Sequence, residues 1–199
     1  MKSAAVGFRV HSGWTALIAL ALDKGKPLIV ARERAHLIET FTYEFRQPYH
    51  TAENMPAEKA AAFISRMRTE ARRFSVRAIR RLQSDLRAQG FHLTRCGLLL
   101  ASGRPLPALP QILASHSLIH TADGEHFREA LLHASARCGL KSITIKERDL
   151  LASASKALRL KPNDLTRRIA DLGRPLGPPW SQDEKLASLV AWLALAERP

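Results

Sequence analysis

The sequence is short of cysteine, aromatic residues, acids and long apolar runs. Its two cysteines in 199 residues, Cys96 and Cys138, are too few for a disulfide framework, and no Cys-x-x-Cys pair occurs. Each stands just ahead of an apolar segment, so two small buried thiols are expected, with a redox pair as the alternative. No apolar stretch approaches the ~20 residues that cross a bilayer. The most apolar early stretch, residues 14–22, spans nine. Arg9 interrupts the start, where a signal peptide needs an unbroken apolar core. A cytoplasmic location with no membrane partner is therefore expected. Without repeats, low-complexity tracts or composition shifts, one domain over residues 1–199 is expected.

What is plentiful is positive charge. Lys and Arg number 31 against 18 Asp and Glu, a net charge of +13. The excess is local. Between Lys59 and Arg95, ten basic side chains face two acids, Glu70 and Asp85, leaving eight of the thirteen net charges in one segment. Such clustering fits a polyanion partner, and it equally fits a solvated helix face.

Periodicity gives the elements. Val6, Phe8 and Val10 alternate in a strand over residues 4–11, Ser12-Gly13 turns the chain, and residues 14–22 form a second strand. A turn at 23–26 leads to a third strand from Pro27, and alternation of Phe41, Tyr43 and Phe45 suggests a further extended piece over 40–45. From Pro56 the period changes. Ala57, Ala61, Ile64, Met67, Ala71, Phe74, Ala78, Leu82 and Leu86 recur every three or four residues up to Gly90, predicting a long helix with its arginines outward. A strand over 95–102, a proline-rich loop over 103–110, a helix over 111–120, a second helix capped by Asp123 and stopped at Gly139, and a strand over 141–146 follow. The last quarter is helical: 147–160, then 163 or 164 to Gly173, then a final helix to about 196 opened by the Ser181/Glu184 capping box.

Three antiparallel strands followed by right-handed βαβ crossovers make an α/β, mixed five-stranded sheet. This order over residues 4–160, with a helical C-terminal extension over 161–199, resembles the ribonuclease H-like fold. The resemblance implies a test. Active nucleases of that superfamily carry an acid on the first strand, because two metal ions need carboxylate bridges. Val6-Gly7-Phe8-Arg9-Val10-His11 has none, and neither does the strand from Cys96 to Ala101. Asp183 and Glu184 open the last helix, where a final acid often stands, although the capping box alone accounts for Glu184.

Other polar groups compete for a functional role. His116 and His120, four apart, share a helix face, and with Glu125 or His126 they offer ligands to a divalent metal or a general base. The alternative is a decorated helix junction with Asp123 as N-cap. His11 is able to face the same region, and His50 reads as a loop residue. Trp180, after Gly177-Pro178-Pro179 and near Arg174, either stacks a base or staples onto the last helix. Residues 154–169 resemble a helix-turn-helix of the Fis type on Ala157, Leu158, Leu160, Leu165 and Ile169, with Arg167 and Arg168 on the second helix; Arg159 stands where that family has a turn glycine.

Three functions follow. The first is a non-catalytic domain that binds nucleic acid or a ribonucleoprotein surface through Arg66, Arg73, Arg77, Arg80 and Arg87, with no cofactor. The second is a hydrolase or metal-binding enzyme centred on His116, His120, Asp123 and Glu125, with Glu184 a further candidate. The third is helix-turn-helix DNA reading through residues 154–169.

Overall fold

A computed structural model describes residues 1–100 and 105–197. Strands β1 (Lys2–His11), β2 (Trp14–Asp23) and β3 (Lys26–His36) form the meander. Gly13, at φ +84°, closes the first turn, where His11 faces Trp14 in register. Lys24 and Gly25 both take positive φ in the second, the geometry that matches the right-handed twist of a two-residue hairpin. Past β3 the chain diverges from the alternating pattern. Residues 40–45 make no strand; instead two short helices follow, α1 (Tyr43–Arg46) and α2 (Pro48–Ala52). Phe41 and Tyr43 are exposed while Phe45 turns inward, so the three aromatic rings do not share one face.

Helix α3 (Ala57–Ala88) crosses to β4 (Phe91–Leu100). Residues 101 and 102 of the predicted strand, and Gly103 and Arg104 of the predicted proline-rich loop, lie outside the described residues. Helix α4 (Leu109–Leu113) is short. It is followed by α5 (His116–Arg137), β5 (Lys141–Lys146), α6 (Glu147–Leu158), α7 (Pro162–Leu172), a 3-10 turn at Arg174–Leu176, and α8 (Gln182–Ala196). The break predicted between residues 120 and 123 is absent: Asp123 and Gly124 sit inside α5, so Asp123 is not an N-cap. No helix among the described residues is long and apolar enough to cross a membrane.

The sheet order is β3-β2-β1-β4-β5, with β1–β3 antiparallel and β1, β4 and β5 parallel. It is the predicted mixed five-stranded sheet. Its centre is covered on both faces, which is why β1 and β2 are apolar on both sides. Val6, Phe8 and Val10 pack towards α3 and α5, as the alternation requires. The opposite face receives α6, α7 and α8. Burial of Leu189, Val190, Trp192 and Leu193 fixes α8 there, each side chain contributing roughly 1.5–3 kcal/mol. The segment beyond residue 160 thus supplies the helix that seals the sheet. A third cluster joins α2, α4 and the adjoining parts of α3 and α5 around Tyr49, Phe63, Met67, Ile112 and Ile119.

Helix α3 keeps its predicted length, but its buried stripe is shifted. Ala60 and Phe63 are inside, Ala57 and Ala61 outside, and Phe74 is only half-buried. Cys96 is buried, Cys138 half-buried, and both are free thiols. The Cys96 thiol lies 3.2 Å from Ser135 Oγ and 3.1 Å from Ser142 Oγ, and burial pushes its pKa up. This is the packing role expected for a small buried thiol.

Candidate nucleic-acid interface and neighbouring polar clusters

Helices α3 and α5 lie side by side on one face of the sheet, and the valley between them is basic. A groove of 850 Å³ is lined by Arg72, Arg73, Arg77, Arg80, Arg81, His133 and Arg137, with Thr69 and Val76 as its uncharged members and no acid. Arginines of the predicted outward face of α3 therefore line a groove shared with α5. Of the five arginines singled out, Arg73, Arg77 and Arg80 line it, whereas Arg66 and Arg87 do not. Arg66 sits over Phe63, 3.9 Å from Glu44. Arg137 and His133 come from α5 and could not be associated with α3 by spacing alone.

The groove arginines fall into two kinds. Arg72 is bound to Glu129, which raises its pKa by hydrogen bonding. Arg73 lies 2.5 Å from Glu70, and Arg81 pairs with Glu33. Arg77, Arg80 and Arg137 have no carboxylate partner among the described residues. Phe74 lies between two of these guanidiniums, 4.9 Å from that of Arg73 and 5.2 Å from that of Arg77. The half-buried ring thus presents its π surface to the cations instead of filling the core.

A second cluster occupies the end of β1, where the resemblance implies a metal-bridging acid. Arg9 Nη2 is 3.1 Å from Glu147 Oε2, and Arg9 Nε is 3.8 Å from Asp183 Oδ1. His11 Nε2 approaches Asp183 Oδ2 to 2.9 Å, without the alignment of a hydrogen bond, and stacks on Trp14 at 4.2 Å. Burial lowers the His11 pKa more than Asp183 raises it, and Arg9 adds to the lowering. Arg128 donates to the Leu99 and Gly124 carbonyls and stands 3.3 Å from Glu125. Glu125 is therefore engaged with a guanidinium and does not join His116 and His120.

Glu184 belongs to the cap. Ser181 N–H donates to its carboxylate at 2.6 Å, its own N–H donates to Ser181 Oγ at 3.3 Å, and Arg32 Nε donates at 2.6 Å. Burial alone would raise this carboxyl, but the hydrogen bonds outweigh it and hold the pKa below the usual value. Trp180 is neither free nor stapled onto the last helix as expected; it is anchored on the end of α7. Its Nε1–H donates to the Ile169 carbonyl at 3.0 Å, and its ring covers Gly173 so closely that a Cβ there would fall 2.2 Å from the indole. The predicted helix-turn-helix contains its turn, with Arg159 left-handed at φ 54°. However, α7 is docked on the domain through Leu165 and Ile169, and Arg167 is paired with Asp164 at 2.8 Å.

The histidines gather differently from the sequence expectation. His126 is buried beside Tyr49 and Phe127, and desolvation together with the positive charge of Arg68 lowers its pKa to about 4. It does not belong to the group of histidines whose ligand atoms converge. His50 is on α2, not in a loop, and meets His116 and His120: ring centroids lie 5.5 and 4.4 Å away respectively. His116 Nε2 and His120 Nε2 are 3.1 Å apart. Asp123 is buried behind them and accepts from Tyr49 N–H at 2.8 Å, while its other oxygen lies 2.5 Å from His50 Nδ1. Burial pushes its carboxyl pKa up despite these bonds. His11, Glu184 and Trp180 share no hydrogen bond or ion pair with this group among the described residues.

No protein-family model and no curated protein matches the chain. Among solved structures, Thermus thermophilus RuvC in complex with Holliday junction substrate aligns with a TM-score of 0.52 at 9% identity, covering 96% of this chain and 91% of that one. A second Thermus thermophilus RuvC structure aligns at 0.49 and 11% identity, covering 96% and 92%. At such identity the first of these likenesses shows the fold alone, and that fold is the ribonuclease H-like one.

Proposed function

We propose that this chain is a non-catalytic ribonuclease H-like domain that binds nucleic acid, alone or within a ribonucleoprotein, through the groove between α3 and α5. The observation that carries the reading is the composition of that groove: six arginines and a histidine, with no acid in the lining. Three of the arginines hold exposed or half-exposed ion pairs. Such pairs are worth only about 0–1 kcal/mol, so a phosphate is able to displace the carboxylates at little expense. Arg77, Arg80 and Arg137 need no such exchange. Phosphate contacts by these groups would release counterions and give a steep salt dependence. That the RuvC structure holds a Holliday junction substrate adds a precedent for DNA on this fold.

The absence of hydrolysis rests on charge. Two-metal catalysis requires carboxylates to offset and bridge the cations. At the end of β1 this chain places Arg9 and His11, and the acids beside them, Glu147 and Asp183, already face these basic groups. Among the described residues, no three carboxylates bring their oxygens within 4.8 Å of one another. The test is fluorescence-anisotropy titration with duplex DNA, a four-way junction and RNA over a range of salt, together with a cleavage assay in Mg²⁺ and Mn²⁺. The reading expects binding that weakens steeply with salt and no cleavage; salt-insensitive binding, or cutting abolished by Asp183→Asn, would overturn it.

A further inference from the structure

We propose that His50, His116 and His120 form a binding site for a divalent transition metal, with zinc the cation their chemistry favours. The three imidazoles come from two separate elements, α2 and the start of α5, and their ligand atoms all lie within 4.8 Å of one another. This is the one group of three or more His, Cys, Asp or Glu residues among the described residues that does so. At the ~2.0–2.1 Å bond length of zinc to imidazole, tetrahedral geometry sets two ligand nitrogens roughly 3.3–3.4 Å apart. The 3.1 Å between His116 Nε2 and His120 Nε2 is close to that edge. The rings meet nearly perpendicular, with interplanar angles of 88°, 69° and 81°, so they converge without stacking.

The feature that favours a site over a chance meeting of histidines lies behind His50. Its Nδ1 is 2.5 Å from Asp123 Oδ2, and Asp123 is itself buried and fixed by the Tyr49 N–H. A carboxylate that takes one imidazole nitrogen leaves the other as the ligand and sets the direction of the ring, the usual support for a zinc-bound histidine. Asp123 is thus a positioning residue. His116 and His120 are exposed, so the fourth position opens to solvent, where water completes the coordination. All-nitrogen donors of borderline softness suit zinc better than magnesium or calcium, which prefer oxygen. The site shares no residue with the arginine groove and stands independently of nucleic-acid binding. Its structural consequence is a bridge between α2 and α5 beside Tyr49, Ala52, Ile119 and Ala122.

The experiment is titration of the EDTA-treated full chain with Co²⁺, read by visible absorption, followed by displacement with Zn²⁺ and elemental analysis after gel filtration. One Co²⁺ per chain with the intense bands of four-coordinate cobalt, displaced by one Zn²⁺, is expected, and zinc should raise the melting temperature. Both exposed ligands can be removed without opening the core, so His116→Ala/His120→Ala should remain folded by circular dichroism and lose the absorption. Asp123→Asn should keep the stoichiometry and bind about 10–100-fold more weakly. No stoichiometric uptake by the wild type, or uptake unchanged in the double variant, would overturn the site.

Discussion

Gly7 of β1 and Gly97 of β4 stand opposite one another in the parallel register, and the backbone of α8 rests directly on both. A Cβ at Gly7 would lie 1.9 Å from the Ala187 carbonyl oxygen; one at Gly97 would lie 2.5 Å from that of Val190. The obstacle in both cases is helix backbone, which cannot rotate aside. Gly7→Ala should therefore destabilise by about 3 kcal/mol, the upper end of overpacking effects. Urea unfolding would measure it, and a loss below about 1 kcal/mol would contradict the close approach.

His126 makes folding acid-sensitive. Its pKa is lowered to about 4 by burial, whereas the unfolded value is near 6.5. Below pH 6.5 the unfolded chain binds a proton that the folded chain refuses, so stability falls as pH drops from 6.5 to about 4 and changes no further from this group below that. Between pH 7 and pH 4.5 this source should remove about 2–3 kcal/mol. His126→Gln should flatten the stability profile across that window, and an unchanged slope would refute the assignment.

The cap on α8 is separable from any chemistry. Ser181→Ala removes the acceptor for the Glu184 N–H and should cost about 1 kcal/mol. Glu184→Ala should cost somewhat more, because it also leaves Arg32 without its carboxylate. Neither change should alter nucleic-acid affinity, measured by anisotropy at fixed salt.

Arg167 and Arg168 test the helix-turn-helix alternative. Helix α7 is held down by Leu165 and Ile169, and the exposed Arg168 borders a groove with Leu28 and Leu176. Arg167→Ala/Arg168→Ala should leave DNA affinity within about twofold of wild type, since Arg167 already has a partner and neither residue borders the arginine groove. A loss comparable to that of groove variants would restore the reading of DNA by α7.

The sheet was legible because its signals are local. Val6, Phe8 and Val10 alternate, Ser12-Gly13 can form only a tight turn, and the Ser181/Glu184 box marks a helix start with its own hydrogen bonds. Asp123 departs from the expected cap position for a tertiary reason. Followed by Gly124 it has the composition of a helix boundary, yet its carboxylate is satisfied by Tyr49 and His50 across the fold, and Ile119, Ala122, Phe127 and Ala130 carry the buried stripe straight through. His50 reads as a loop residue in the sequence because α2 is too short to show a period, and its partners His116 and His120 lie far along the chain. The arginine groove was half legible: α3 announces its own charge, but Arg137 and His133 join it only through packing of α5.

The central claim is that the α3/α5 groove holds a polyanion. Its most direct measurement is the slope of log K against log salt for duplex DNA, comparing wild type with Arg77→Ala/Arg80→Ala/Arg137→Ala, the three groove arginines without acidic partners. At about 0.9 per phosphate contact, the triple variant should lose roughly 2–3 from the slope and bind far more weakly at low salt, with its fold unchanged. A wild-type slope near zero, or a variant that retains both affinity and slope, would contradict it.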